Sequence, residues 1–522
     1  MKSLFVIPWI LAIIAIALPI AAVSQVPKRA EPAGTVLEER DSGPQHKGHQ
    51  APPSMDPAAK PAVYDPDGFR GDPVYPDEPY SPESETAIYG GKYAVDTPRP
   101  VLELGYPQYK EGPFGAGHDI VGRKNLVRPQ LIAYGDLRTA VAINDNGAAE
   151  VGQVATRINL DVDLKLTATE RIHAFFRPLD QGGKFTRTEF SGGDRNGSEL
   201  IIDGNLETLF FEGDVGAIQS GLTDEYANYD LPFSFGLMPM FFQNGNWMDD
   251  AILGVAAAIP ARNSPALDIS NFDVTAFAGF DKVSTNALKD DDGALADHAG
   301  NVFGIATFMD TRGGYLEAGW GYVDDRRSTA TDDFDYHNLT LAWTRRYGGW
   351  LSNSVRGFVS AGQSPAAGQV QTADGFAILM ENSLITSLPS TLVPYANFFV
   401  GVDRPQPLAR GGDGLLKNTG INFETDGLTG FPKLDDTAQD AWGGAVGVSY
   451  LFNLDQQLVV EAANVQPFGE NSDTIVGRQT ALGVRYQIPL TNQLILRTDA
   501  MVGFRENDDD LTGARMELRL KF

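Results

Sequence analysis

Cysteine is missing altogether, so neither a disulfide nor a thiolate metal site holds this fold. Histidine is scarce, at six residues, and none falls in a metal-binding helical spacing such as H-E-x-x-H. Basic charge is short as well. Against 68 aspartates and glutamates stand 41 lysines and arginines, and the resulting formal charge of -27 repels phosphate backbones and excludes nucleic acid as a partner. No G-x-S-x-G nucleophile elbow occurs. Past the first two dozen residues no run of about eighteen apolar residues appears, which excludes helical membrane spans there and leaves strands, whose hydropathy signal is weak.

The chain begins with Lys2, an apolar stretch from Leu4 to Ile20 and small residues at Ala21, Ala22 and Ser24, the pattern of a signal peptide over residues 1–24. Residues 25–100 hold 14 of the 32 prolines and little aliphatic content. Such a segment buries too little surface to offset its ordering entropy and is expected to be a disordered, proline-rich periplasmic stretch. Residues 101–129 are expected to form a transition that lines or plugs the periplasmic mouth.

From residue 130 to residue 522 the pattern changes to alternation. In the last twelve residues Thr512, Ala514, Met516, Leu518, Leu520 and Phe522 fall on one face, and Arg515, Glu517, Arg519 and Lys521 on the other. Val154 to Leu166 repeats this, with Arg157, Asn159, Asp161, Asp163 and Lys165 between apolar neighbours. Similar segments recur down the chain, including 170 to 178, 207 to 218 and, weakened by two prolines, 231 to 238. The prediction is an all-β chain, a transmembrane antiparallel up-and-down β-barrel of about 16–18 strands. The connections support it, because long and short ones alternate from Arg505–Asp510 back to Asp310–Gly314. Aromatics near strand ends, Trp442, Tyr450, Phe452, Tyr486, Phe504 and Phe522, match interfacial girdles.

The expected lumen face carries Asp136, Arg138, Asp161, Asp163, Lys165, Arg171, His173 and Arg177 near the start of the barrel, and Arg485, Arg497, Asp499, Arg515, Glu517 and Arg519 near its end. Closure makes these two groups neighbours on one wall, a set of pore-lining charges that sets the field for small solutes. The long connection 403–440, with Gly411, Gly412 and Gly414, is the candidate for folding into the mouth; an external surface loop is the alternative. Acidic runs at 290–292, 324–325, 332–335 and 508–510 lack EF-hand spacing and read as solvated loops, with no metal or cofactor expected. His173, His298 and His337 have no nucleophile partner in sequence, so no enzyme activity is expected.

With its leader, alternation and Leu518-Arg519-Leu520-Lys521-Phe522 ending, the chain resembles the Gram-negative outer-membrane porins. Phe233 to Leu237 together with Gly245 to Asp250 are faintly similar to alginate-export-like porins. The resemblance implies outer-membrane lipid and lipopolysaccharide as surroundings, the barrel assembly machinery as the reader of the terminal phenylalanine, and passive diffusion of small hydrophilic solutes as the function. A homotrimer and a peptidoglycan contact stay open. So does a structural or anchoring barrel with a plugged lumen that acts through its proline-rich arm.

Overall fold

The computed structural model describes residues 98–106, 117–191, 196–204, 206–289, 295–424, 427–452, 456–469, 475 and 477–522. The expected signal peptide, almost all of the proline-rich segment and the acidic run 290–292 lie outside these residues. In chain order the strands are β1 (Leu102–Gly105), β2 (Gln130–Asp145), β3 (Glu150–Lys165), β4 (Arg171–Phe176), β5 (Asp180–Gln181), β6 (Lys184–Glu189), β7 (Gly197–Glu199) and β8 (Leu206–Asp214). Helix α1 (Val215–Thr223) follows, then β9 (Pro232–Phe242), β10 (Met248–Ser264), β11 (Ile269–Asp281), β12 (Gly300–Thr311), β13 (Gly314–Asp325), β14 (Tyr336–Tyr347) and β15 (Leu351–Ala361). The last are β16 (Asp374–Leu384), β17 (Leu392–Arg404), β18 (Ala409–Arg410), β19 (Ala441–Phe452), β20 (Gln456–Pro467), β21 (Gln479–Pro489), β22 (Leu494–Arg505) and β23 (Leu511–Lys521).

Antiparallel pairing runs β2, β3, β4, β8, then β9 through β17, then β19 through β23, and returns to β2. Eighteen strands therefore close a ring, the all-β up-and-down barrel that the alternation predicts. Closure pairs Asp136 with Lys521 at one end of the seam and Asp145 with Thr512 at the other. Beyond β23, Phe522 exchanges both backbone hydrogen bonds with Gly135, at 3.0 and 2.8 Å. β1 then takes up the same edge of β2, from Leu102 opposite Ala133 to Gly105 opposite Gln130. The chain terminus and β1 thus lie end to end along one strand, and this stretch of the β2 edge is covered.

Burial is inverted relative to a water-soluble protein. Met516 and Leu518 are 37% and 42% exposed, while Arg515 and Glu517, which alternate with them, are each 1% exposed. Phe235, Phe280, Phe303, Phe376, Phe398, Trp442 and Phe504 are all exposed as well. This is an apolar outer belt with charge turned inward. Among the described residues no helix is long and apolar enough to cross a membrane.

The connections sort onto two rims. The rim that holds Phe522 has short turns such as Arg312–Gly313, whereas 282–289 with 295–299, 326–335, 362–373 and 405–424 with 427–440 leave from the loop rim. One expectation fails here: 207–218 is not a single strand. Asp214 ends β8 by capping α1, its carboxylate accepting from Ala217 N and Leu231 N at 2.8 Å each, and so turns the chain into helix. The hairpin of β5 and β6, turned by Gly182 and Gly183, is likewise absent from the alternation.

Candidate channel and its folded-in loop

The connection 405–440 joins neighbouring strands of the ring yet touches strands all the way round it. Asn144 on β2 and Gln153 on β3 both donate to the Thr429 carbonyl at 2.7 Å. Asn338 on β14 donates to the Gln406 carbonyl at 2.7 Å, and the Ser360 hydroxyl on β15 accepts from Gln406 N at 3.0 Å. Asn246, beside β10, donates to the Leu415 carbonyl at 2.9 Å. No path outside a closed cylinder reaches all these strands, so the segment lies within it. It packs there on Leu408, Leu415, Leu416, Phe423 and Leu434, all fully buried, and β18 lies parallel to the start of β10.

Room for it comes from glycine in the wall. A methyl group on Gly321 would meet Leu408 at 2.4 Å, one on Gly483 would meet Asn422 at 2.5 Å, and one on Gly513 would meet Pro432 at 2.7 Å. Glu461 on β20 fastens the middle of the segment. Its carboxylate accepts from Ile421 N at 3.0 Å, Asn422 N at 2.9 Å, Asn422 Nδ2 at 2.9 Å and the Tyr395 hydroxyl at 2.6 Å. Four charge-assisted bonds to a carboxylate 1% exposed make a strong latch. A second clamp is internal to the loop. Lys433 bridges Asp413 at 2.8 Å and Asp436 at 2.7 Å, and Lys417 joins Asp413 at 2.6 Å. Burial alone would raise the Asp413 carboxyl, but Lys433 and Lys417 outweigh it and hold that group below the usual carboxylate range. Burial alone would lower the Lys433 ammonium, and Asp436 and Asp413 hold it above the usual lysine range.

The charges predicted from alternation collect at the seam. Asp499 sits among three arginines: Arg485 Nε at 2.8 Å, Arg497 Nε at 2.9 Å and Arg515 Nη2 at 2.8 Å. Arg485 also donates to Glu424 of the folded-in segment at 3.1 Å, and the Arg515 guanidinium lies 5.5 Å from the Phe431 ring. Both therefore stand on the inner face. Arg519 reaches Glu517 at 3.8 Å along β23, and Arg138 donates to Asp136 at 2.8 Å along β2, its partner strand at closure. A second group forms nearer the terminal rim. His173 Nδ1 lies 3.0 Å from Asp163, its Nε2 3.5 Å from Asp161, and the Tyr134 hydroxyl donates to Asp163 at 2.9 Å. Arg171 pairs with Asp163 at 3.4 Å and with Glu212, and Lys165 lines the same terminal-rim hollow as Asp161 and Asp163. Arg177 stands apart, just past the end of β4, pairing with Asp180 and Glu207 at 3.5 Å each.

Sequence reading missed Glu461, Glu424 and a cluster about half-way round the ring, where Arg356 bridges Glu317 at 3.2 Å and Glu381 at 2.9 Å. The same period-two count points to Glu461 and to Arg356, since a lone charge between apolar residues on a strand marks the inner face, whereas Glu424 lies in the folded-in segment and carries no such signal.

No family model and no curated protein matches the sequence. Solved structures do match in shape. The chain is similar to Pseudomonas aeruginosa OccK1 (OpdK), at 13% identity and a TM-score of 0.50, over 75% of this chain and 98% of that one. It also matches Acinetobacter baumannii OccAB4, at 13% identity and a TM-score of 0.47, over 75% and 97% of the two chains. At this identity the likeness is one of fold, and the fold is that of the outer-membrane porins.

Proposed function

We propose that this chain is an outer-membrane porin through which small hydrophilic solutes diffuse passively, with 405–440 as its constriction. The observation that carries the reading is the charged inner face of a closed cylinder whose longest loop is latched across its interior. Closure satisfies the backbone in lipid and needs no partner strand. The inner charges keep the passage wet and set its field. At the seam, three arginines around Asp499 leave positive charge in excess, with Glu424 offsetting part of it. Across the ring, two glutamates around Arg356 leave negative charge in excess. The field therefore points across the passage, so anions follow the seam and cations the opposite wall. Asp136, Arg138, Asp161, Asp163, Lys165, Arg171 and His173 extend the seam side toward the terminal rim, which is periplasmic in this orientation, while Arg177 stays apart from them.

The test is reconstitution of the full chain in planar bilayers. Stepwise conductance that scales with salt is expected. A silent bilayer, with a correctly folded barrel recovered from it, would refute the channel and favour an anchoring role for the proline-rich arm.

A further inference from the structure

The loop rim holds a cavity that diffusion alone does not call for. It measures about 560 Å³ and is walled by 286–289, 326–335, 362–373, the end of β17 and the outer side of 405–440. Lys289, Arg327 and Arg404 bring three cations to it from separate connections. Arg327 is paired with Asp325 at 3.0 Å. Arg404 is partly buried and differs: its Nη1 donates to the Gln371 carbonyl at 3.0 Å, and it forms no ion pair with a carboxylate among the described residues. The carboxylate lining the cavity, Asp436, is already occupied by Lys433 at 2.7 Å. A guanidinium fork facing a polar cavity with a carbonyl as its partner is completed by an oxyanion, which it grips through two parallel N–H groups. The Gln406 amide and the Thr372 hydroxyl already donate to the Thr372 and Ala287 carbonyls at 2.8 Å each, while the half-buried side-chain amides of Asn286 and Gln439 lie on the same wall, the kind of group that sugar hydroxyls pair with.

We propose that this cavity captures small polyhydroxylated anions, with the oxyanion on Arg404 and Lys289 and the hydroxyl-bearing body over the amides of Asn286 and Gln439. A solute held here waits at the outer mouth, just before the latched loop. The inference deepens the channel reading and rests on it for its purpose; binding itself requires no conduction.

Calorimetry on the full chain in phosphatidylcholine nanodiscs, titrated with glucose 6-phosphate, glucose and lipopolysaccharide, tests it. Saturable binding of glucose 6-phosphate is expected, with glucose weaker by roughly tenfold or more, since the charged hydrogen bonds are lost. Arg404→Gln and Lys289→Gln should each weaken glucose 6-phosphate by about tenfold and leave conductance in potassium chloride unchanged, while Arg404→Lys, which keeps charge but not the fork, should fall between. Recovery of each variant as a heat-modifiable barrel shows that it has folded. Equal affinity for glucose, or equal affinity in Arg404→Gln, overturns the proposal. So does binding of lipopolysaccharide without binding of the free phosphosugar, which would make the site a lipid contact. Sugar-phosphate binding in a non-conducting barrel sinks the channel reading alone; conduction without binding sinks the capture site alone.

Discussion

Asp499 is the side chain on which the seam charges converge, and it is 5% exposed with three arginines within 2.9 Å. Removing one member of a buried ionic set strands the others, so Asp499→Ala should cost about 3–5 kcal/mol. Thermal unfolding in detergent, followed by the shift of the barrel band on gels, measures the loss. In the same variant the uncompensated arginines should move the reversal potential in a salt gradient toward chloride, and Arg497→Ala should move it toward potassium. A variant with wild-type melting and selectivity would refute the assignment. Glu461→Gln keeps shape but gives up the charge on four hydrogen bonds, a loss of about 2–4 kcal/mol in loop anchoring. The readout is faster proteolysis within 405–440 and a larger, noisier conductance.

At the scale of elements, the latched loop has a pH signature whose sign follows from its own ion cluster. The Asp413 value is lowered in the folded chain, so its contribution is complete above the ordinary carboxylate range and disappears as pH falls through the lowered value. The Lys433 value is raised, so its contribution is complete below the ordinary lysine range and disappears only above the raised value. Between about pH 5 and pH 9 the clamp is therefore whole, and conductance should be flat. Below the ordinary carboxylate range, as pH falls through the lowered Asp413 value, the loop should loosen and conductance rise reversibly. A step centred near pH 7 would exclude Asp413 as the responsible group. Deleting 411–437 should abolish both the acid step and the narrow state.

How much of this was legible differs by element. The strands were, because alternation reports face directly, and β23 is an undisturbed example. β4 and β8 were legible only in part, since Pro178 and the Gly182–Gly183 turn divert the chain into a hairpin and Asp214 starts a helix where alternation was extrapolated. The position of 405–440 was not legible from the loop itself. Its apolar residues, Leu408, Leu415 and Phe423, fit a lumen plug and a surface cluster equally well. The deciding signal sits in the wall, in glycines at inner positions such as Gly321 and Gly483, and period-two reading treats those as weak points in a strand.

For the whole molecule, the ring and its charge division belong together. Two opposed charge groups on facing walls produce little net selectivity, since each ion finds a favourable side. Bilayer reversal potentials for the native chain should therefore be small, and each single-wall variant should tilt them. The seam charges were readable because closure makes first and last strands neighbours. Arg356 and its glutamates, lying on strands that are distant in sequence from the seam, needed the ring to be drawn before their opposition to it emerged.

The notches in the wall separate two properties that most channels tie together. Because the cylinder, and not the inserted segment, supplies the clearance at Gly483 and Gly513, pore width can be altered from the side that carries no solute-facing chemistry of the plug. A single alanine at either site acts as a wedge, displacing the insert while every residue of the insert stays native. A graded series of such wedges would give a family of apertures in one scaffold, each differing from the parent by one methyl group.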